Sequence, residues 1–297
     1  MSLNMFVQHF FNAITLGSLY GLVAIGYTMV YGILRLINFA HGDIFMLGAY
    51  FVFFGTFVYN LPWGISVLLA VLGSSLCGVV VDRVAYRPLR DAPRISALIS
   101  AIGVSFLIEN LGLVAFTGLP RPVVRPDWLV KVFKVGEIRI LPLALVVPGV
   151  TFLLVLGLLW IVYRTKPGLA MRAISKDIET TRLMGVPVDR IIALTFGIGS
   201  ALAAASGIMW ALRYPQIHPF MGVFPGLKAF IAAVFGGIGS IKGAVVGGLL
   251  LGFIEIMAVA FFPGLSGYRD AFAFILLIVI LLMKPTGLMG EKLEDKI

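Results

Sequence analysis

Long uninterrupted runs of apolar residues, separated by short charged loops, dominate the chain and leave few folds open to it. An α-helix needs about 17–25 predominantly apolar residues to cross the hydrocarbon of a bilayer. Lipid offers backbone N–H and C=O groups no partners, so such runs satisfy those groups internally as helices. The first run extends from about Phe6 to Leu34, long enough to tilt or to continue past the membrane. The second covers Ala40 to Tyr59, and Asn60-Leu61-Pro62 turns into a third that ends near Val81. Further runs cover Ser96 to Phe116, Leu141 to Tyr163, Ile191 to Leu212, a short Phe224 to Gly236, Gly243 to Phe262 and Gly267 to Met283. The expected fold is all-α: a polytopic membrane bundle of eight or nine transmembrane segments, with residues 1–297 forming one transmembrane domain. Hydrophobic residues make up 60% of the chain and charged ones 12%, where a soluble domain carries about 25% charged. No single core could hide that surplus. The N-terminus has no basic stretch ahead of a short apolar core, so the first run is expected to be a retained span.

The formal charge of +9 comes from 23 Lys and Arg against 14 Asp and Glu. These basic residues sit in the loops, where anionic headgroups and orientation signals account for them, and no nucleic-acid partner is expected. Arg164 to Arg190 holds six of them and Asp82 to Arg94 four. One span out and one back separate the two loops, so both are expected on the cytoplasmic side, with the N-terminus outside and the C-terminal tail inside. Thr117 to Arg139, which must then face outward, carries five basic residues against the rule. The single Cys77 allows no intrachain disulfide, and His9, His41 and His218 are too scattered for a metal site.

Polar residues inside apolar sequence are the candidates for function. Asn38, His41 and Asp43 interrupt the boundary between the first two runs. Asn38 suits a helix N-cap, and Asp43 in the next turn faces the positive end of the helix dipole. The same residues would equally suit a broken helix lining a polar path. Ile37 to Ala49 matches Ile217 to Ala229 at an offset of 180, with Ile37/Ile217, Gly42/Gly222, Leu47/Leu227 and Ala49/Ala229 identical. With the two copies running in opposite directions, this is the sign of a possible inverted repeat, whose interface carries substrate in many transporters. In the second copy His218 precedes Pro219, which suits the first helical position. Glu109, Asn110 and Glu255 lie within spans and should face the bundle interior, an aqueous cavity or a structural partner. Lys228 could pair with a carboxylate or snorkel, and snorkelling is the default expectation.

The loop before the sixth run reads as a surface helix. Gly168 and Arg172 lead to Ser175-Lys176-Asp177, which can cap a short helix through Leu183, and Gly185 and Pro187 end it. Acidic residues come early and Arg182 late, as the dipole prefers. Such a helix fits a groove on a soluble partner. Gly236 to Gly243 is Gly-rich and contains Lys242, but lacks the order G-x-x-x-x-G-K-[ST] that cradles phosphate. The chain is therefore expected to need no cofactor of its own, any ATP being bound by a partner.

Four blocks resemble one family. GSLYGLVAIGYTMVYGILRLINFAHGDIFMLGAY (Gly17 to Tyr50), VDRVAYRPLR (Val81 to Arg90), LISAIGVSFLIEN (Leu98 to Asn110) and LKAFIAAVFGGIGSIKGAVVGG (Leu227 to Gly248) are similar to permease subunits of high-affinity branched-chain amino-acid ABC importers, as is the tail KPTGLMG (Lys284 to Gly290). The resemblance implies a non-enzymatic inner-membrane subunit that works with a second related permease, two cytoplasmic ATPases and a periplasmic binding protein. It also implies that Gly168 to Pro187 is the segment that contacts an ATPase. Related permeases serve urea and short amides, and a stand-alone carrier would share the repeat and the intramembrane carboxylates.

Overall fold

A computed structural model describes residues 3–90, 92–135 and 138–290. The helices, in chain order, are α1 (Leu3–Leu34), α2 (His41–Phe53), α3 (Trp63–Val81), α4 (Arg94–Phe116), α5 (Asp127–Val130), α6 (Leu143–Arg164), α7 (Lys166–Lys176), α8 (Ile178–Leu183), α9 (Val188–Arg213), α10 (Val223–Gly236), α11 (Ile241–Phe261) and α12 (Arg269–Met283). Four short strands, β1 (Arg121–Pro122), β2 (Phe133–Val135), β3 (Ile138–Ile140) and β4 (Gln216–Ile217), pair as β1–β4 and β2–β3. Among the described residues, eight helical segments are long and apolar enough to cross a membrane, and α10, at 14 residues, is shorter than those. The chain is thus the polytopic helix bundle of eight or nine segments expected, and the run read as short, Phe224 to Gly236, is the short helix α10.

Nearly every residue of α1 from Thr15 to Val30 is buried. A helix apolar on all faces belongs in the middle, and α1 is the central pillar. Its small residues let α11 approach backbone to backbone. A Cβ on Gly17 would lie 2.7 Å from Leu249 Cα, and Gly248 and Gly252 face Gly21 and Gly17 as closely. Close approach of this kind gains dispersion contacts that lipid cannot match. By contrast, Ala273 alone is buried in α12, so most of that helix faces outward.

The segment Asp82 to Leu89, expected as a charged loop, instead continues α3 through a wide π-type turn and a 3₁₀ turn. Ion pairs hold it: Arg90 binds Asp82 at 2.6 Å and Asp189 at 2.5 Å, and Arg87 binds Asp189 at 2.8 Å. Asp189 opens α9, so the end of α3, the start of α9 and the α7–α8 segment lie on one face of the bundle. The two basic loops therefore share a side.

The repeat extends well past the short sequence match. An offset of 180 maps α1 onto α9, α2 onto α10, α3 onto α11 and the first part of α4 onto α12. Asn12 accepts from Arg213 at 2.9 Å, Leu19 O accepts from Ser206 Oγ at 2.9 Å, and Gly26 faces Gly199, so α1 and α9 are antiparallel. Adding 180 to Leu19 and Gly26 gives Gly199 and Ser206, so these two contacts exchange under one two-fold operation. The bundle is an inverted repeat of four helices, with α5 to α8 between the copies.

Candidate functional site

Two helices begin inside the bundle. Arg35, at φ 54°, ends α1, and Leu36 to Ala40 turn back until His41 lies against Gly26. Gly26 is eight residues, about 12 Å at 1.5 Å per residue, inside the end of α1. From the opposite face Tyr214 to Met221 return along α9 until Gly222 meets Gly42. A Cβ on Gly42 would lie 2.8 Å from Gly222 O, and one on Gly222 would fall onto Gly42 O. These glycines are equivalent in the repeat, so α2 and α10 meet N-terminus to N-terminus near the two-fold axis. Neither end is capped by a side chain. Their backbone dipoles thus point positive ends at one another within the protein.

Polar side chains crowd this junction. Asn38 is buried, but Ala40 holds the N-cap position in its place. Asn38 Oδ1 instead accepts from Tyr86 Oη at 3.2 Å, and its Nδ2 has no partner among the described residues. His41 is buried with its ring 4.8 Å from that of Tyr27, and its Nε2 is likewise unpartnered. Asp43, in the first turn of α2, accepts from Ser105 Oγ of α4 at 2.6 Å. Glu109, one turn along α4, brings its carboxyl to that of Asp43. Asn110 is not part of this group: it is exposed, and its Nδ2 donates to Phe106 O of its own helix at 2.7 Å. His218 is half-buried in the turn that leads to Gly222. Pro219 lies in that turn, four residues before the first helical position of α10, and packs on Gly112 of α4. Tyr27, Tyr86 and Ser105 had no signal in the sequence, because hydroxyls are common in membrane helices and their partners lie on other helices.

Glu255 belongs to a different group. Its Oε1 accepts from Lys228 Nζ of α10 at 2.7 Å and is also paired with Arg269 of α12. Lys228 reaches Asp270 at 2.5 Å as well and lies 5.9 Å from the Tyr20 ring centroid. Lys228 and Glu255 are both buried. Of the two readings for Lys228, the default of snorkelling is wrong and pairing with a carboxylate holds: a four-membered ion cluster between α10, α11 and α12 occupies it. The adjacent Arg269-Asp270 at the start of the last span was the one available sign.

On the arginine-rich face, Thr165 caps α7 by accepting from Gly168 N at 3.2 Å, and Asp177 caps α8 by accepting from the amides of Glu179 and Thr180 at 3.0 and 3.1 Å. Arg172 stacks over Tyr163 at 5.4 Å, Ser175 donates to Arg172 O, and Arg182 ends α8. Gly185, at φ 80°, and Pro187, next to α9, close the segment. Leu183 and Met184 stand at its tip, 87% and 79% exposed, where an unaided surface would carry polar residues. The Gly-rich stretch is a turn between α10 and α11: Gly237 and Gly239 take positive φ, and Ser240 caps α11.

Residues 9–281 match a family described as the branched-chain amino acid transport system permease component. The high-affinity branched-chain amino acid transport system permease protein LivH of Escherichia coli K12 is 41% identical over 306 residues, covering 98% of each chain. BraD of Pseudomonas aeruginosa, which bears the same description, is 40% identical over 305 residues, again covering 98% of each. The xylose transport system permease protein XylH of Escherichia coli K12 is 30% identical over 193 residues, covering 54% of this chain and 49% of that one.

Proposed function

The chain belongs to the permease-component family of branched-chain amino acid transport systems, and from that premise we propose that it carries branched-chain amino acids inward past the Gly42–Gly222 junction. It is a multi-pass inner-membrane permease subunit of an ABC importer, and subunits of this class work with an ATPase and a substrate-binding protein. The observation that carries the substrate path is the meeting of two helix N-termini, neither capped by a side chain, inside the bundle. The positive ends of the two helix dipoles favour a carboxylate at the junction, although the amides of His41, Asp43 and Val223 already donate to the backbone oxygens of Asn38, Ala40 and Phe220. Asp43 and Glu109 stand one turn away to receive the substrate ammonium. With Gly42 and Gly222 in backbone contact the way is shut, so passage requires α2 and α10 to part.

The energy comes from outside the chain. Two ATPases bind ATP, and one of them docks on the α7–α8 segment, the apolar tip Leu183–Met184 seated in its groove. A second homologous permease completes the membrane part, and a periplasmic binding protein delivers substrate to the opposite face. This subunit performs no covalent chemistry. Asp43→Asn and Asn38→Ala test the path in vesicles that hold the assembled transporter. Leucine uptake should fall at least about tenfold while complex yield stays within about twofold of wild type. Parallel loss of yield and uptake would make these residues structural, and urea uptake exceeding that of leucine in wild type would overturn the substrate.

A further inference from the structure

A cleft of about 610 Å³ opens on the arginine-rich face where α3 and α9 leave the bundle. Arg83, Arg87, Arg182 and Arg190 line it, against Asp82 and Asp189 alone among acidic residues. Both aspartates are paired with arginine, although Asp82 Oδ2 is buried without a partner among the described residues. Asp82 pairs with Arg90, and Asp189 with Arg87 and Arg90. Arg83, Arg182 and Arg190 thus converge on one cavity without a carboxylate partner among the described residues. Like charges gathered on one cleft give it a positive potential that favours an anion in the space between them.

The flanking residues say what kind of anion. Val80 on α3 and Val84 in the π-type turn that continues it are 50% and 72% exposed, one turn and less from Arg83 and Arg87. On α9, Leu194 is 40% exposed one turn deeper than Arg190. Each helix therefore presents guanidinium groups at its end and bare aliphatic side chains just inside, the profile of a lipid with a charged headgroup and apolar tails. A nucleotide, free phosphate or acidic protein surface would use the arginines and leave the aliphatic track unused. We propose that this cleft binds the phosphodiester headgroup of an anionic phospholipid, which bridges the two repeats at the ends of α3 and α9. Guanidinium groups suit phosphate oxygens through paired N–H donors.

The test uses the complete transporter complex, purified and placed in nanodiscs of phosphatidylcholine with a minor fraction of phosphatidylglycerol. Retained lipid is counted by native mass spectrometry. Wild type should hold phosphatidylglycerol over phosphatidylcholine by about tenfold, and R83Q/R190Q should lose most of that preference. K242Q, which removes a cation outside the cleft, should keep it. R83K and R190K, which retain charge, should keep part of it, and they serve in place of the double variant should that one fail to assemble. Equal retention by wild type and R83Q/R190Q would overturn the proposal. So would full displacement by millimolar inorganic phosphate, which would make the cleft a free-anion site. Loss of ATPase stimulation in R83Q/R190Q with lipid retention unchanged would assign these arginines to a protein contact instead, and would also overturn it.

Discussion

Lys228 and Glu255 show what a charge inside the bundle demands. Each is tolerable only because the other is there, with Arg269 and Asp270 completing the set. Removing one partner of a buried pair leaves the other uncompensated, at a cost of about 3–5 kcal/mol, whereas replacing both by apolar residues of similar size is often neutral. Glu255→Ala should therefore lower the thermal midpoint of the purified subunit sharply, and Lys228→Met/Glu255→Leu should recover most of the loss. Equal destabilisation by the single and double variants would show that the pair is not what burial protects. At the junction itself the cost is steric. Gly222→Ala would place a methyl group onto Gly42 O, an overpacking of about 1–3 kcal/mol, and the expected result is a transporter that assembles but whose α2 and α10 no longer close. Faster substrate leak through proteoliposomes lacking ATP is the readout, and a leak equal to that of wild type would show that the junction absorbs the methyl group. The pairings themselves were not visible in the sequence, because the partners are 14 to 180 positions apart and lie on different helices.

Helix ends behaved more legibly than helix interiors. The α7–α8 segment could be read in advance, since Asp177, Gly185 and Pro187 are punctuation with a local mechanism that needs no distant partner. Asp177→Ala should cost about 1 kcal/mol of local stability by removing the cap. Hydrogen exchange confined to Ile178–Leu183 would detect it, and unchanged protection there would refute the capping role. Leu183→Asp should reduce substrate-stimulated ATPase activity of the complex at least about fivefold with insertion intact, because a charge cannot enter an apolar groove without desolvation. The half-helices were less legible. A run such as Phe224 to Gly236 is as apolar as a crossing, and hydropathy alone does not say where along the bundle it starts. Asn38 and Pro219 mimicked capping positions, yet the turns at Arg35 and after Arg213 put the true helix starts further along the chain.

At the scale of the whole molecule, Arg87–Asp189 and Arg90–Asp189 require the third and sixth runs of the sequence to meet on one face. Single cysteines introduced at Arg83 and Lys176 should react with an impermeant thiol reagent only in inside-out vesicles, and one at Val130 only in right-side-out vesicles. Equal labelling of the replacements at Arg83 and Val130 would mean that the span between them does not cross. The bundle class and the shared side of the basic loops were readable from apolar run length and loop charge, while the extent of the repeat emerged only from matching contacts such as Leu19–Ser206. That repeat bears on α6, a helix with few buried residues. The first copy, α1 to α4, begins and ends on the same side, so a second copy joined directly to it would enter in the same orientation. One additional crossing flips its parity, and α6 is that crossing. Its worth to the fold is thus one of counting more than of packing: without it Gly222 would approach from the wrong side, and the two glycines could never face each other.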